Sequence, residues 1–155
     1  KLIANDALKL SVLISDNLGI DTATAPLKIY AKADLYHYQN NDSLAYAYYD
    51  SILKLFPENI TLLDDVYFMQ AKIHTKNKRW TKSIERYQKA VEYNDLLKDD
   101  ALYEMGIIYQ DILNKPEKAL SCFEEIILKH QDSFYAFEAR KRFRILRGDF
   151  DEKKP

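Results

Sequence analysis

The chain has few of the residues that turn a polypeptide. Its 155 residues include 3 glycines and 4 prolines, where average usage would give about 18 together. A β-sandwich or barrel needs a turn signal roughly every 8–12 residues, so the shortage argues against both. It also argues against a flexible low-complexity chain. Cysteine is nearly absent too: Cys122 stands alone, so no internal disulfide is possible and the redox compartment stays open. Neither sign of charge is in excess, with 23 Lys+Arg against 24 Asp+Glu and a net charge of −1. Nucleic-acid binders normally carry a clear basic excess. Long apolar runs are missing as well. No more than seven consecutive residues lack a charge, against the ~20 apolar residues of a membrane-spanning helix. The first residues, Lys1-Leu2-Ile3, contain neither an initiating Met nor a signal peptide, and we expect a segment of a longer protein. What the chain does have is apolar mass. Hydrophobic residues make up 47% and aromatics 13%, enough to build a core.

That apolar mass falls at helical spacing. Between Asp99 and Leu113 it lies at Leu102, Met105, Gly106, Tyr109, Ile112 and Leu113, and between Pro116 and Lys129 at Ala119, Leu120, Phe123, Ile126 and Ile127. Steps of three and four mark one face of an α-helix. Asn114-Lys115-Pro116 separates the two runs, and proline suits a first helical turn, where its missing N–H is not needed. The pair predicts a helical hairpin.

The hairpin recurs. Ala71 matches Gly106 at an offset of 35, and Ser83, Tyr87, Ala90 and Val91 match Ala119, Phe123, Ile126 and Ile127 at 36. Further upstream, Ala33, Ala45, Tyr49 and Ile52 match Ala71, Ser83, Tyr87 and Ala90 at 38. Asp64-Asp65 and Asp99-Asp100 are expected to open equivalent helices, where negative charge suits the dipole. Small residues (Ala33, Ala71 and Gly106 in first helices, Ala45, Ser83 and Ala119 in second helices) would let paired helices approach closely. Tyr36, Tyr49, Tyr87, Tyr109 and Phe123 would fill the space between pairs. A period of 35–38 residues in helical pairs is the signature of a repeat solenoid.

On these residues the chain resembles the tetratricopeptide repeat family, over roughly Pro26 to Leu146. The runs Lys98 to Tyr103 and Gln131 to Arg140 are similar to those of bacterial cell-envelope members, of the Tol-associated or outer-membrane-assembly kind, which implies an envelope location. The family's terminal proline occurs once, as Pro57, with Asp95 and Gln131 in its place later. The resemblance implies an all-α fold: a right-handed α-α superhelix of about three hairpins with a helix at each end. The expected segments are a half-repeat helix in 1–19, repeats at 26–57, 64–95 and 99–131, a capping helix at 133–147 and a tail at 148–155. Within the first of these, Asn5 to Leu18 matches a second helix whose partner is missing. Its apolar residues Leu2, Leu10, Val12 and Leu13 would promote self-association of the segment. Arg140, Lys141, Arg142, Arg144 and Arg147 suit the polar end that repeat arrays require.

Chemistry-bearing residues do not converge. His37, His74 and His130 have no partners at metal-ligand spacing and read as ordinary surface or groove histidines, since a metal site needs three or four ligands. Cys122 sits in an amphipathic helix with no elbow turn or Gly-rich loop nearby, which favours a packed or partly exposed thiol. Adjacent acids such as Glu124-Glu125 point about 100° apart on a helix and cannot act as a pair. The 12 tyrosines fall mostly at repeat-packing positions rather than forming a base-stacking platform. No catalytic residue, metal or other cofactor is expected, and no enzyme.

The family's first helices line a concave groove. The equivalent positions are Tyr30, Asp34 and His37, then Phe68, Lys72 and Thr75, then Tyr103, Ile107 and Gln110, and finally Ala136 and Arg140. Tyr30, Phe68, Tyr103 and Ile107 form an aromatic and apolar stripe of the kind interface cores favour. Asp34, Lys72 and Arg140 leave it roughly neutral. Tyr30 and Asp34 stand where some family members carry the Lys and Asn of a chaperone-tail clamp, which excludes that clamp. The expected function is a non-enzymatic scaffold that binds a protein or peptide, with no nucleic acid and no membrane insertion. The alternatives are a purely structural segment of a longer superhelix, or a helical regulatory or enzymatic domain.

Overall fold

A computed structural model describes residues 24–93 and 96–149. Among them there is no strand. Seven α-helices follow one another: α1 (Ala25–Tyr38), α2 (Asp42–Leu55), α3 (Ile60–Lys76), α4 (Trp80–Tyr93), α5 (Lys98–Ile107), α6 (Pro116–Lys129) and α7 (Ala136–Leu146). A π-helical turn, Ile108–Ile112, prolongs α5. The chain divides into two compact units, residues 1–86 and 87–155, and the division falls within α4. The sequence-predicted helix at Asn5–Leu18, its apolar residues and the last tail residues lie outside the described residues.

In the first unit α2 packs on α1 and on α3. Ile29, Ala33, Ala45, Tyr49, Ile52, Leu62, Val66 and Ile73 form its apolar core. The small residues allow this closeness. Ala33, Ala45 and Ala71 are wholly buried, and the Ser83 hydroxyl of α4 donates to the Ala71 carbonyl at 3.0 Å. In the second unit α6 packs on α5 and on α7. A β-carbon on Gly106 would lie 2.5 Å from the ring of Phe123, so the absence of a side chain is a steric requirement there. Cys122 is buried, and burial, with Glu125 nearby, pushes its thiol up to about 12. Such a thiol stays protonated and unreactive.

Helix ends follow local chemistry. Asn41 caps α2 through its side chain, accepting from the Leu44 N–H at 3.3 Å, and Pro116 occupies the first turn of α6. Asp99 and Asp100 open α5 as expected. Asp64 and Asp65 do not open α3, which begins at Ile60 and has no acid in its first turn. They sit in its second turn, with Asp64 only 2% exposed.

The first helix of each pair ends on a left-handed residue. These are Asn40 (φ 59°), Lys78 (φ 56°) and Asn114 (φ 49°), with Gly148 (φ 78°) after α7. After α1, the Asn40 and Asn41 N–H groups return to the His37 and Tyr36 carbonyls at 2.9 and 2.8 Å. After α3, Lys78 and Arg79 do the same to Thr75 and His74, at 2.9 and 2.8 Å. This is the Schellman closure, which satisfies carbonyls left open at a helix end. The closure after the π-turn is one residue wider, from the Lys115 N–H to the Tyr109 carbonyl at 2.8 Å. The left-handed residues are spaced 38, 36 and 34 apart. From Lys78 to Asn114 the spacing is 36, but from Ala71 to Gly106 it is 35. One residue is gained between Gly106 and Asn114, where the π-turn lies.

Glycine substitutions should therefore act in opposite directions at two positions. Gly106→Ala removes a helix-propensity cost of about 1 kcal/mol, but drives a methyl into a buried ring. We expect a net loss of roughly 1–3 kcal/mol by overpacking. Lys78→Gly relieves a left-handed side chain and should gain up to about 1 kcal/mol. Urea denaturation of the two variants measures both. A stabilised Gly106→Ala would refute the close-approach argument.

Candidate binding face of the first helices

Each unit holds part of the expected residues. In the first, Tyr30 and Asp34 of α1 meet Tyr49 of α2. The Tyr49 hydroxyl donates to the Asp34 carboxylate, and the Tyr30 ring stands edge-on to that of Tyr49 with centroids 5.4 Å apart. Burial, and then the carboxylates of Asp34 and Asp65, raise the Tyr30 hydroxyl far above its ordinary value. The Asp65 carboxyl is also raised, first by burial and then by Asp64 and Asp34. Among the described residues none of these three acids has an ion-pair partner. Asp34 is exposed, Asp65 half-buried and Asp64 buried. Phe68 is half-buried, and the Lys72 ammonium lies 6.0 Å from its ring centroid, at the outer limit of a cation–π contact.

Two expected residues of this unit are engaged elsewhere. The His37 ring meets Asp42 at 3.1 Å, beside the Lys76–Asp42 ion pair at 2.9 Å. Burial alone would raise the Asp42 carboxyl, but hydrogen bonds from Lys76 and His37 hold it below its usual value. His37 thus secures the α1–α2 turn. The Thr75 hydroxyl bonds the Ala71 carbonyl at 3.1 Å and the Ser83 hydroxyl at 2.6 Å, which ties α3 to α4.

In the second unit Tyr103 stacks on Tyr135, with centroids 4.3 Å apart and planes 18° apart. The Tyr135 hydroxyl donates to Asp100 at 3.0 Å. Burial and that bond push the Tyr135 hydroxyl up to about 12, so it stays a donor. Gln110 lies in the π-turn and accepts from Arg142 at 2.8 Å. Arg142 also pairs with Asp111 at 3.1 Å and Glu138 at 3.5 Å. Ile107 is half-buried between these contacts in sequence, and Ala136 is buried. Arg140, expected on this face, instead lines a groove against Leu128 of α6.

The residues that touch Tyr103 and Gln110 are therefore Tyr135, which caps the start of α7, and Arg142 within it, both of which sequence reasoning missed. No helical spacing marked them, because Tyr135 precedes α7 and Gln110 lies in the π-turn. His74, expected at the surface or in the groove, is 5% exposed. Its ring lies 5.0 Å from that of Tyr46. Among the described residues no group of His, Cys, Asp or Glu is arranged to hold a metal ion. No helix there is long and apolar enough to cross a membrane.

Residues 100–133 match a family model described as tetratricopeptide repeat. This span takes in nearly all of α5, the π-turn, α6 and the turn that follows. No match is found among curated proteins. The helical hairpins are consistent with an all-α, tetratricopeptide-like solenoid, and the family match itself covers one hairpin of it. Repeats of this family generally mediate protein–protein interaction and generally serve as non-enzymatic scaffolds.

The buried His74 gives a pH dependence. Burial first, and then Arg79, Arg86 and Lys82, lower it from 6.5 to about 4, so it is neutral in the folded protein near neutral pH. The unfolded state then binds more protons between those two values. This contribution to stability is complete above about pH 6.5 and drains as the pH falls toward 4. The unfolding midpoint of the wild type should drop over that window more steeply than that of His74→Phe. Parallel pH curves would refute the assignment.

Proposed function

We propose that the chain is a non-enzymatic interaction scaffold that takes a protein or peptide on the faces of its first helices. The observation that carries this reading is the incomplete burial of Tyr30, Phe68 and Tyr103. Tyr30 and Tyr103 are held by packing on one side, which limits the entropy lost when a partner covers the other. Tyr30 rests on Tyr49 and Tyr103 on Tyr135. In the first unit Asp34 and Asp65 border the aromatics, which suits a partner with a basic residue next to its apolar anchor. The bond from Tyr49 fixes the Asp34 carboxylate in place, so it is presented without further ordering. The envelope setting implied by the run Gln131 to Arg140 belongs to this reading, and fractionation of the native host checks it.

One observation favours the purely structural alternative. Gln110, His37 and Thr75 spend their polar groups on neighbouring helices.

Peptides selected from a displayed library against the whole chain separate the two. Peptides that bind the first unit should lose about 2 kcal/mol with Phe68→Ala, and those that bind the second as much with Tyr103→Ala, the usual loss at an aromatic anchor. Glu85→Ala, an exposed position on α4, should leave binding unchanged. Binding to the first unit should also weaken as salt screens the exposed Asp34 carboxylate. A library that yields no binder, or binders indifferent to both aromatic changes, would favour the structural reading.

A further inference from the structure

The turn from α3 into α4 gathers positive charge around one buried histidine. The Arg79 N–H returns to the His74 carbonyl at 2.8 Å, and the Arg79 carbonyl accepts the Ser83 N–H at 2.9 Å. Arg79 therefore stands where α4 opens, beside the end of α3. Lys82 and Arg86 follow at steps of three and four, on one helix face. All three cations act on the His74 ring, and no carboxylate does. Arg79 and Lys82 are exposed and Arg86 is half-buried, its guanidinium 5.6 Å from the Tyr67 ring centroid. From α2, the Tyr46 ring lies 5.0 Å from that of His74, and both arginines act on its hydroxyl. Asp50 is the one acid that also acts there, and Lys54 holds it at 2.7 Å. Among the described residues no carboxylate forms an ion pair with Arg79, Lys82 or Arg86.

Repeat packing does not require this cluster. At the offsets of 38 and 36 that relate the second helices, its positions hold Asn41, Leu44 and Tyr48 in α2, and Lys115, Lys118 and Cys122 in α6. His74 stands where the other first helices carry Tyr36 and Tyr109, at offsets of 38 and 35. One repeat alone replaces a packing tyrosine with histidine and sets three cations around it. Polar capacity is also unspent on α3. His74 Nδ1 is buried without a hydrogen-bond partner, as are both amide atoms of Gln70 one turn earlier. Cations gathered with no acid among them repel one another, and an anion from outside the chain removes that repulsion.

We propose that Arg79, Lys82 and Arg86 form a binding site for a phosphomonoester dianion. Guanidinium forks match phosphate oxygens two at a time. Lys82 adds a point charge in the first turn of α4, where the helix dipole is also positive. Burial keeps the Tyr46 hydroxyl protonated, a neutral donor at the margin. A carboxylate brings one negative charge, whereas a phosphomonoester brings about −1.5 to −2 at neutral pH and three acceptor oxygens, the better match to three cations. None of the three belongs to a first-helix face, so a peptide there and a phosphate here occupy different places.

The test uses the whole chain and glycerol phosphate, by calorimetry near neutral pH at constant ionic strength set with sodium chloride. Glycerol phosphate should bind, and acetate should bind at least about tenfold more weakly. Arg79→Gln combined with Lys82→Gln, both at exposed positions, should weaken glycerol phosphate about tenfold or more. Lys118→Gln, at the position in α6 equivalent to Lys82, should change it less than about twofold. The His74 ring signal in NMR gives a local readout. Sulfate, a dianion at every pH used, should raise its midpoint from about 4 further than chloride of the same ionic strength, and the double variant should lose that difference. Vesicles of phosphatidylcholine with and without phosphatidic acid separate the sources. Retention on phosphatidic acid that glycerol phosphate reverses assigns the site to a lipid headgroup, and binding in solution without retention assigns it to a soluble phosphomonoester. Three results would overturn the proposal: equal binding of acetate and glycerol phosphate, wild-type affinity in the double variant, or a His74 midpoint that sulfate moves no further than chloride.

Discussion

The contact between the small residue of a first helix and the second helix packed against it governs the remaining geometry. Where that residue is Gly106, the Phe123 ring occupies the volume a methyl would need. Where it is Ala71, the Ser83 hydroxyl reaches the backbone carbonyl itself. A larger side chain at either place would separate the two axes. The aromatic residues that now pack at fixed distances, Tyr103 near Phe123 and Tyr30 against Tyr49, would then lose their supports. The presentation of the first-helix face depends on this closeness more than on any polar contact.

Polar groups do a second job, which is to fix how each first helix ends. The left-handed residues Asn40, Lys78, Asn114 and Gly148 are chemically dissimilar, yet three of the four close their helices with the same pair of backbone bonds. Asparagine and glycine enter the left-handed region readily and lysine does not. The motif is held at Lys78 by the surrounding chain, including the Asn77 side chain on the Ile73 carbonyl at 2.8 Å. His37, Asp42 and Lys76 gather at the same end of the first hairpin. Their charges therefore belong to the turn rather than to a ligand site.

Helical periodicity and the small residues made the fold class and the pairing of helices legible in the sequence, because both are local. Features that depend on which neighbour a residue meets were less legible. Asp64 and Asp65 looked like dipole partners at a helix start, but α3 begins four residues earlier, and the pair faces Tyr30 instead. His74 lies on the face that α4 covers, and no spacing rule distinguishes that from an exposed histidine. Arg140 and Arg142 differ by two positions on one helix, about 200° of rotation, so an error of that size moves a residue from one face of α7 to another. Of the eleven residues expected on the binding face, Tyr30, Phe68 and Tyr103 are the ones whose rings remain partly open while resting on or beside other side chains. That distinction is three-dimensional.

The π-turn at Ile108–Ile112 bears on how such an array can change length over time. One residue added to an ordinary helix rotates everything beyond it by about 100°, and every later repeat would present the wrong side. A widened turn takes up the extra residue as a local bulge and hands the chain on in its original phase, as the 36-residue step from Lys78 to Asn114 shows. The addition is thus invisible downstream and is felt only at the bulge. There it carries Gln110, the residue that meets Arg142 of the next helix. A lineage that gained or lost this residue would keep its hairpins and alter one polar contact, so repeats of unequal length can coexist in one chain without a compensating change elsewhere.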